Sequence, residues 1–463
     1  MRIPSVAVSG LVAAALALLP VAAPGPAAAA RPVAAHPDRQ LTQLLDRLII
    51  AGAPGAAARV TDGHRVRAAG RGVADVRTDR PMQPDLNVRI GSITKPMVAT
   101  VVLQLVGEGR LSLDDTVEDW LPGILPNGAQ VTVRQLLTMT SGVPEYLTGR
   151  IIGPLYASPP NRFRSWDARE LVAVVAGQPP TFPPGGGFHY SNTNYVLAGL
   201  IVEAVTGRSL GHELTQRVFR PLRMRDTTFP VDRPTLAGPS ARGYSLPIDP
   251  EQGPVEGGTL VDITVYNPSF AWAAGNVVSS LEDVTRFLSA LLAGRLLSPA
   301  LLAEMTAWVD TGQPEVGYGT GLQVIRTPCG EVIGHDGGIP GFATMALATA
   351  DGRRVFALVV NQYFPGGALS QVFSEVVGAL MVRLFPGCDA APSRHRPMAT
   401  YAMSGEESLT CGDTRRFRTV ERSCEQLCQR TVRTTSDLRL CDDLRNDHAV
   451  ECSSAQLTAV QCR

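Results

Sequence analysis

The sequence predicts an α/β fold of the α+β kind: helices flank an antiparallel sheet, and a mostly helical subdomain interrupts it. Three observations lead there. A helix and a hairpin pattern come early, a run of strands comes late, and the stretch between them reads as helical, with no repeat and no regular βαβ alternation.

The elements follow in order. Residues 39–51 carry apolar positions at helical spacing. Residues 57–60 and 66–70 flank Asp62-Gly63, a hairpin signal. A long helical pattern covers residues 94–108, and Gly109 follows as a stop. Thr132 and Gln135 form a capping-box pair before a short helix, and the helix predicted over 195–205 ends at Gly207. Ser279 and Glu282 are read as the cap of a helix over 281–292. Beyond Gly317, residues 319–326, 331–334, 342–349 and 354–361 read as strands, with Asp351-Gly352 turning one hairpin. A helix over 369–384 closes the domain, which is placed at 38–388.

The ends carry compartment signals. Residues 1–30 read as a secretory signal: Arg2, an apolar run over 6–19, and small residues at Ala27 to Ala30. The run is too short to span a bilayer, and Pro20, Pro24 and Pro26 follow it. The expectation is a secreted, extracellular protein with no membrane span. None of the 8 cysteines precedes Cys329, and Cys411 to Cys462 contain most of them. In an exported chain this predicts disulfides. Cys424 and Cys428 lack the second pair that a zinc site needs. Residues 389–406 read as a linker and 407–463 as a small disulfide-rich module, leaving Cys329 and Cys388 to pair with each other.

Charge excludes one partner and marks one residue. The 42 basic side chains balance 42 acidic ones, and no basic block offers a nucleic-acid surface. Every basic residue except Lys95 is arginine. Ser92 stands three residues before it, in Gly91-Ser92-Ile93-Thr94-Lys95 at the start of the long helix. Positions i and i+3 share a helix face, so the amine can reach the hydroxyl. A serine hydroxyl needs a base to become a nucleophile. A buried lysine can lose its proton, whereas arginine cannot. The helix N-terminus also offers N–H groups for an oxyanion.

Two further motifs join this pair. Tyr190-Ser191-Asn192 follows a triple-glycine loop and precedes a helix. A tyrosine hydroxyl can shuttle protons, and an asparagine amide can hold a substrate carbonyl. His335-Asp336-Gly337 is read at the end of a strand, before Gly338. The three motifs arise together by chance about once in 100 such sequences.

With these motifs the sequence resembles the penicillin-recognising serine hydrolases, a family of DD-peptidases, class C β-lactamases and related esterases. It is most similar to the secreted D-alanyl-D-alanine carboxypeptidases of actinomycetes. The likeness covers about residues 40–388 and extends to Leu111-Ser112-Leu113-Asp114-Asp115 and Thr132-Val133-Arg134-Gln135-Leu136-Leu137. It implies a β-lactamase/transpeptidase-like fold and assigns roles. Ser92 would be acylated, Lys95 would be its base or proton relay, and Tyr190 would carry protons to and from the leaving group. Asn192 would hold the substrate amide, and His335 would support Tyr190 and the substrate. The N–H groups of Ser92 and Gly338 would form the oxyanion hole, beside Gly337. No cofactor and no metal are implied, and no H-E-x-x-H pattern suggests one.

The sequence departs from the carboxypeptidase pattern where a terminal carboxylate would bind. Similar enzymes place hydroxyls after the strand histidine and an arginine on the neighbouring strand. Here the corresponding residues are Asp336, Gly338 and Gln323. An aspartate about 5 Å from a bound carboxylate repels it by roughly 3 kcal/mol at an effective dielectric near 20. Strand alternation also allows Asp336 to point away, and Arg326 is a candidate substitute for the missing cation. Three functions follow. The first is a D-Ala-D-Ala carboxypeptidase acting on peptidoglycan-type peptides and acylated by β-lactams. The second is an esterase, D-peptide amidase or aminopeptidase with the same mechanism. The third is a β-lactamase or a non-catalytic penicillin-binding protein.

Overall fold

The structure, a computed structural model, describes residues 38–148, 151, 159–249, 253–254, 258–363 and 366–386. The expected signal, the linker, the Cys-rich module and Cys388 lie outside these residues. Cys329, in the turn before Gly330, is disulfide-bonded.

The chain opens with α1, Arg39–Ile50. The Asp38 carboxylate caps it by accepting from the Leu41 N–H, and Leu41, Leu45 and Leu48 form its buried stripe. Strands β1 (Gly55–Asp62) and β2 (Arg65–Asp75) follow as a hairpin. Asp62 pairs with Arg65, so the two-residue loop is Gly63-His64, one position later than expected. A short β3, Arg80–Pro81, lies at the sheet edge.

The middle of the chain is helical, as expected. Helix α2 (Thr94–Gly107) has 11 buried residues out of 14, the mark of a helix enclosed on nearly every side. Thr132 and Gln135 make the expected capping box on α3, Val133–Leu137. Helix α4 (Asn192–Thr206) begins three residues earlier than expected and ends at Gly207. After the short α5 (Trp272–Gly275) comes α6, Leu281–Leu292. Its cap is Ser280, which accepts from the Asp283 N–H; this corrects the assignment to Ser279. The Ser279 hydroxyl bonds Thr227 instead.

The last strands are β4 (Val309–Asp310), β5 (Val316–Tyr318), β6 (Gln323–Thr327), β7 (Gly330–Ile339), β8 (Phe342–Thr349) and β9 (Arg354–Val360). Helix α7, Gly367–Arg383, closes the domain. The nine strands form one sheet in the order β4-β5-β6-β7-β8-β9-β1-β2-β3. The strand expected over 319–326 is broken at 319–322. There the Thr320 and Gly321 N–H groups bond Met305 and Leu137 carbonyls in the helical layer rather than a neighbouring strand. Conversely, β7 runs well past the expected end at 334, because Gly337 and Gly338 pair with Thr344 and Ala343.

Alternation along the strands separates two apolar layers. Ala56, Ala58, Met345, Leu347 and Leu358 face α1 and α7. Ala57, Val324, Ile333, Ala346 and Val359 face the helical subdomain. Each large side chain so buried contributes about 1.5–3 kcal/mol. The site forms on the second side, where α2 meets β7.

Candidate active site

A ribbon of Val88–Arg89 against Val278–Ser279 delivers the chain to a 3-10 turn, Gly91–Ile93, which runs into α2. Gly91 has φ +52, and a methyl group on it would stand 2.9 Å from the Gly338 nitrogen. A methyl group on Gly337 would stand 2.1 Å from the Ile90 carbonyl oxygen. Two glycine backbones thus let β7 lie directly on the serine turn. Thr344 fastens the contact by donating its hydroxyl to Ile90 O at 3.0 Å. This packing brings the Gly338 amide beside the turn that carries Ser92, as the expected oxyanion hole requires.

Lys95 is fully buried, and its Nζ lies 2.8 Å from each of Ser92 Oγ, Asn192 Oδ1 and Ala274 O. Burial lowers its pKa to about 7, against the opposing pull of the Glu145 and Asp336 carboxylates. The two carbonyl-type oxygens can only accept, so they hold two hydrogens of the amine. In the neutral form the remaining lone pair faces the Ser92 hydroxyl. That is the geometry of a base on its nucleophile. Tyr190, half-buried, sets its ring centroid 4.9 Å from Nζ.

Sequence reasoning missed Glu145. One carboxylate oxygen accepts from the Asn192 N–H at 2.7 Å and from Nδ2 at 2.9 Å; the other accepts from the Leu147 N–H at 2.6 Å. Burial raises its pKa while these donors pull it back. Glu145 fixes the Asn192 amide with Oδ1 towards Lys95, leaving one Nδ2 hydrogen for a substrate carbonyl. No spacing rule could have linked two residues 47 apart across a loop.

The β7 residues differ from expectation. His335 is buried in mid-strand, with Nε2 3.1 Å from the Tyr318 hydroxyl and Nδ1 2.7 Å from the Asp336 carbonyl oxygen. Both nitrogens are thus occupied by the protein, and the contact with Tyr190 is ring to ring, at 6.2 Å between centroids. Asp336 pairs with Met345 and His335 with Ala346, yet the Asp336 Oδ1 comes within 3.2 Å of His335 Nδ1. Asp336 is 1% exposed, and its Oδ1 accepts from Gln323 Nε2 at 2.8 Å. Gln323 and Asp336, expected to bind substrate, are therefore a buried pair bonded to each other. Arg326 cannot replace the missing cation. It lies three residues along β6, roughly 10 Å away, ion-paired to Glu315 and stacked on Trp308. Finally, β6 stops pairing at Gly334, which leaves residues 335–339 with an open strand edge among the described residues. An extended substrate backbone can add to such an edge.

The family model described as "Beta-lactamase" matches residues 39–372, which include all of these groups. The chain belongs to the beta-lactamase family. Among curated members of this broad family it is similar to Esterase EstB of Burkholderia gladioli, 32% identical over 64% of this chain and 81% of the esterase. It is also similar to Penicillin-binding protein 4 of Amycolatopsis lactamdurans, 30% identical over 76% of this chain and 92% of that protein. Among solved structures, a D-stereospecific amidohydrolase from Streptomyces sp. is 39% identical with a TM-score of 0.67, covering 74% of this chain and 98% of that one. A D-amino acid amidase from Ochrobactrum anthropi is 30% identical with a TM-score of 0.66, covering 74% and 97%. These comparisons support a β-lactamase-fold serine hydrolase; they do not select carboxypeptidase action. Among the described residues no cluster suits a metal ion, and no helix is long and apolar enough to cross a membrane.

Proposed function

We propose that this protein is an acyl-serine hydrolase that cleaves an amide or ester of a D-amino acid whose leaving group carries no carboxylate. One observation carries the choice. Where carboxypeptidases of this type hold a terminal carboxylate, Gln323 and Asp336 form a buried pair hydrogen-bonded to each other, and Arg326 is engaged elsewhere. The relatives named for D-amino acid amides and for esters support the same class. The similarity to Penicillin-binding protein 4 keeps β-lactam acylation and D-Ala-D-Ala cleavage as the second reading.

In the proposed reaction Lys95 takes the Ser92 proton as Oγ attacks the carbonyl carbon. The N–H groups of Ser92 and Gly338 stabilise the oxyanion. The leaving amine or alcohol departs with a proton passed through Tyr190, and a bond from Ser92 Oγ to the acyl carbon remains. Water, deprotonated by the same groups, then breaks that bond and restores Ser92. We also propose export, on the pattern of residues 1–30.

The test compares turnover of D-phenylalanine amide, a neutral D-amino-acid ester and a peptide ending in D-Ala-D-Ala, with intact-mass detection of a penicillin adduct. Amide or ester turnover well above that of the free-carboxylate peptide, lost in Ser92→Ala, supports the proposal. Preferential release of terminal D-alanine would establish the carboxypeptidase reading instead.

A further inference from the structure

We propose that Met139 is a positioning residue for Tyr190, its thioether serving as a buried hydrogen-bond acceptor that fixes the backbone carrying the tyrosine. Met139 stands out first by conformation. Helix α3 ends at Leu137 with Thr138 as its cap, and two N–H groups then donate backwards: Thr140 to Gln135 O at 2.9 Å and Met139 to Leu136 O at 3.4 Å. This paired closure takes a left-handed residue at position 139, where glycine is the usual choice. Met139 adopts φ +61 there. Among the described residues other than glycine, Asp79, Arg223, Trp272 and Glu315 also have positive φ. Asp79, Arg223 and Glu315 are exposed, whereas Met139 and Trp272 are buried. Trp272 opens α5, whose Ala274 carbonyl holds Lys95. Both buried outliers therefore flank the site, as backbone strain tends to do where function requires it.

The side chain explains why a methionine occupies a glycine position. Its sulfur accepts from the Ser191 N–H at 3.5 Å and from Asn194 Nδ2 at 3.3 Å. Asn194 presents Nδ2 because its Oδ1 accepts from the Ser141 hydroxyl. The Met139 carbonyl accepts from the His189 N–H at 3.0 Å. One residue thus holds the chain immediately before and immediately after Tyr190. Its neighbours extend the grip: Thr140 O accepts from the Gly185 N–H, Pro144 O from the Ser191 hydroxyl, and Glu145 from the Asn192 N–H. A thioether suits the place, since it accepts weakly, donates nothing and packs in the apolar core. Leucine would fill the same space but strand the Ser191 N–H, whose residue is fully buried. Glycine would relax the turn and strand it equally. The clamp sets the Tyr190 ring against Lys95 Nζ, 4.9 Å from the ring centroid, and so sets the proton path to the leaving group. That catalytic consequence rests on the proposed hydrolase reading; the clamp itself does not.

The experiment compares wild type with Met139→Leu, which keeps the bulk and loses the acceptor, and with Met139→Asn. Asparagine returns an acceptor atom at the δ position and tolerates positive φ. Amide hydrogen exchange, read by NMR without substrate, should find Ser191 protected in wild type, fast in Met139→Leu and slow again in Met139→Asn. The His189 amide, bonded to a carbonyl that every variant keeps, should stay protected throughout. In Met139→Leu, kcat for the amide substrate should fall roughly tenfold or more with little change in KM, and Met139→Asn should recover most of it. Met139→Gly guards against misfolding of the leucine variant, because glycine relieves the left-handed turn; it should lose kcat as well. An unprotected Ser191 amide in wild type, or full kcat in Met139→Leu or Met139→Gly, overturns the proposal. Equal losses in the leucine and asparagine variants overturn it too, leaving Met139 a packing residue. Absence of turnover in wild type would defeat the hydrolase reading and leave the exchange result standing, so the two failures are distinguishable.

Discussion

Lys95 shows how one side chain can be selected by what surrounds it. Its three oxygen partners are drawn from the Gly91–Ile93 turn, α4 and α5, and its burial places its pKa at about 7. Activity that needs the neutral amine should rise as pH increases through about 7. Lys95→Arg should lower acylation about 10²–10⁴-fold and abolish that rise, as read by stopped-flow acylation across pH; a variant with full activity would remove Lys95 from the mechanism. Stability follows the same proton. Between about 7 and the ordinary 10.5 the unfolded chain binds a proton that the folded chain lacks, so stability should increase with pH across that window. Lys95→Met should flatten the slope in urea melts. Ser92, Lys95, Tyr190 and Asn192 were legible because each sits in a short motif with a mechanical reason for its spacing. Glu145, Ala274 and Tyr318 were not, since their partners come from elements that only the tertiary fold brings together.

At the scale of elements, the site depends on β7 touching the serine turn. The sequence reading placed a strand over 331–334 with His335-Asp336-Gly337 at its end. In fact Gly337 and Gly338 are the strand's contact with residues 90–91, and the missing side chains are what permit it. The broken strand at 319–322 was illegible for a related reason: its N–H groups bond helices rather than a strand. Gly91→Ala should therefore harm more than backbone conformation. A left-handed alanine costs about 1–2 kcal/mol, and its methyl would also push Gly338 from the oxyanion position. Gly109→Ala is the control, with φ +68 and open space around the new methyl. Both variants should lose thermal stability, but only Gly91→Ala should lose kcat, by tenfold or more in order of magnitude if one oxyanion donor is displaced. Equal kcat in the two would show that the glycine contact merely fills space.

For the described domain as a whole, the sheet divides stability from chemistry. The helix–hairpin beginning, helical middle and strand-rich end predicted the two-sided arrangement, because strand alternation forces successive side chains onto different layers. The α1 and α7 side carries no residue of the site, whereas α4 on the other side begins with Asn192 and presents the Tyr195 hydroxyl to the Leu137 carbonyl. Leu380 on α7 and Leu197 on α4 are both fully buried. Replacing either by alanine should cost about 2–5 kcal/mol, measured by denaturant melts. Their kinetics should part. Leu380→Ala leaves the helical subdomain untouched and should keep kcat/KM at temperatures well below its melt. Leu197→Ala lets α4 settle, shifting Asn192 and Tyr195 against Lys95 and Tyr318, and should lower kcat at those same temperatures. Parallel losses of activity in both variants would mean that the two layers are mechanically coupled through the sheet, and that the site is supported from both faces.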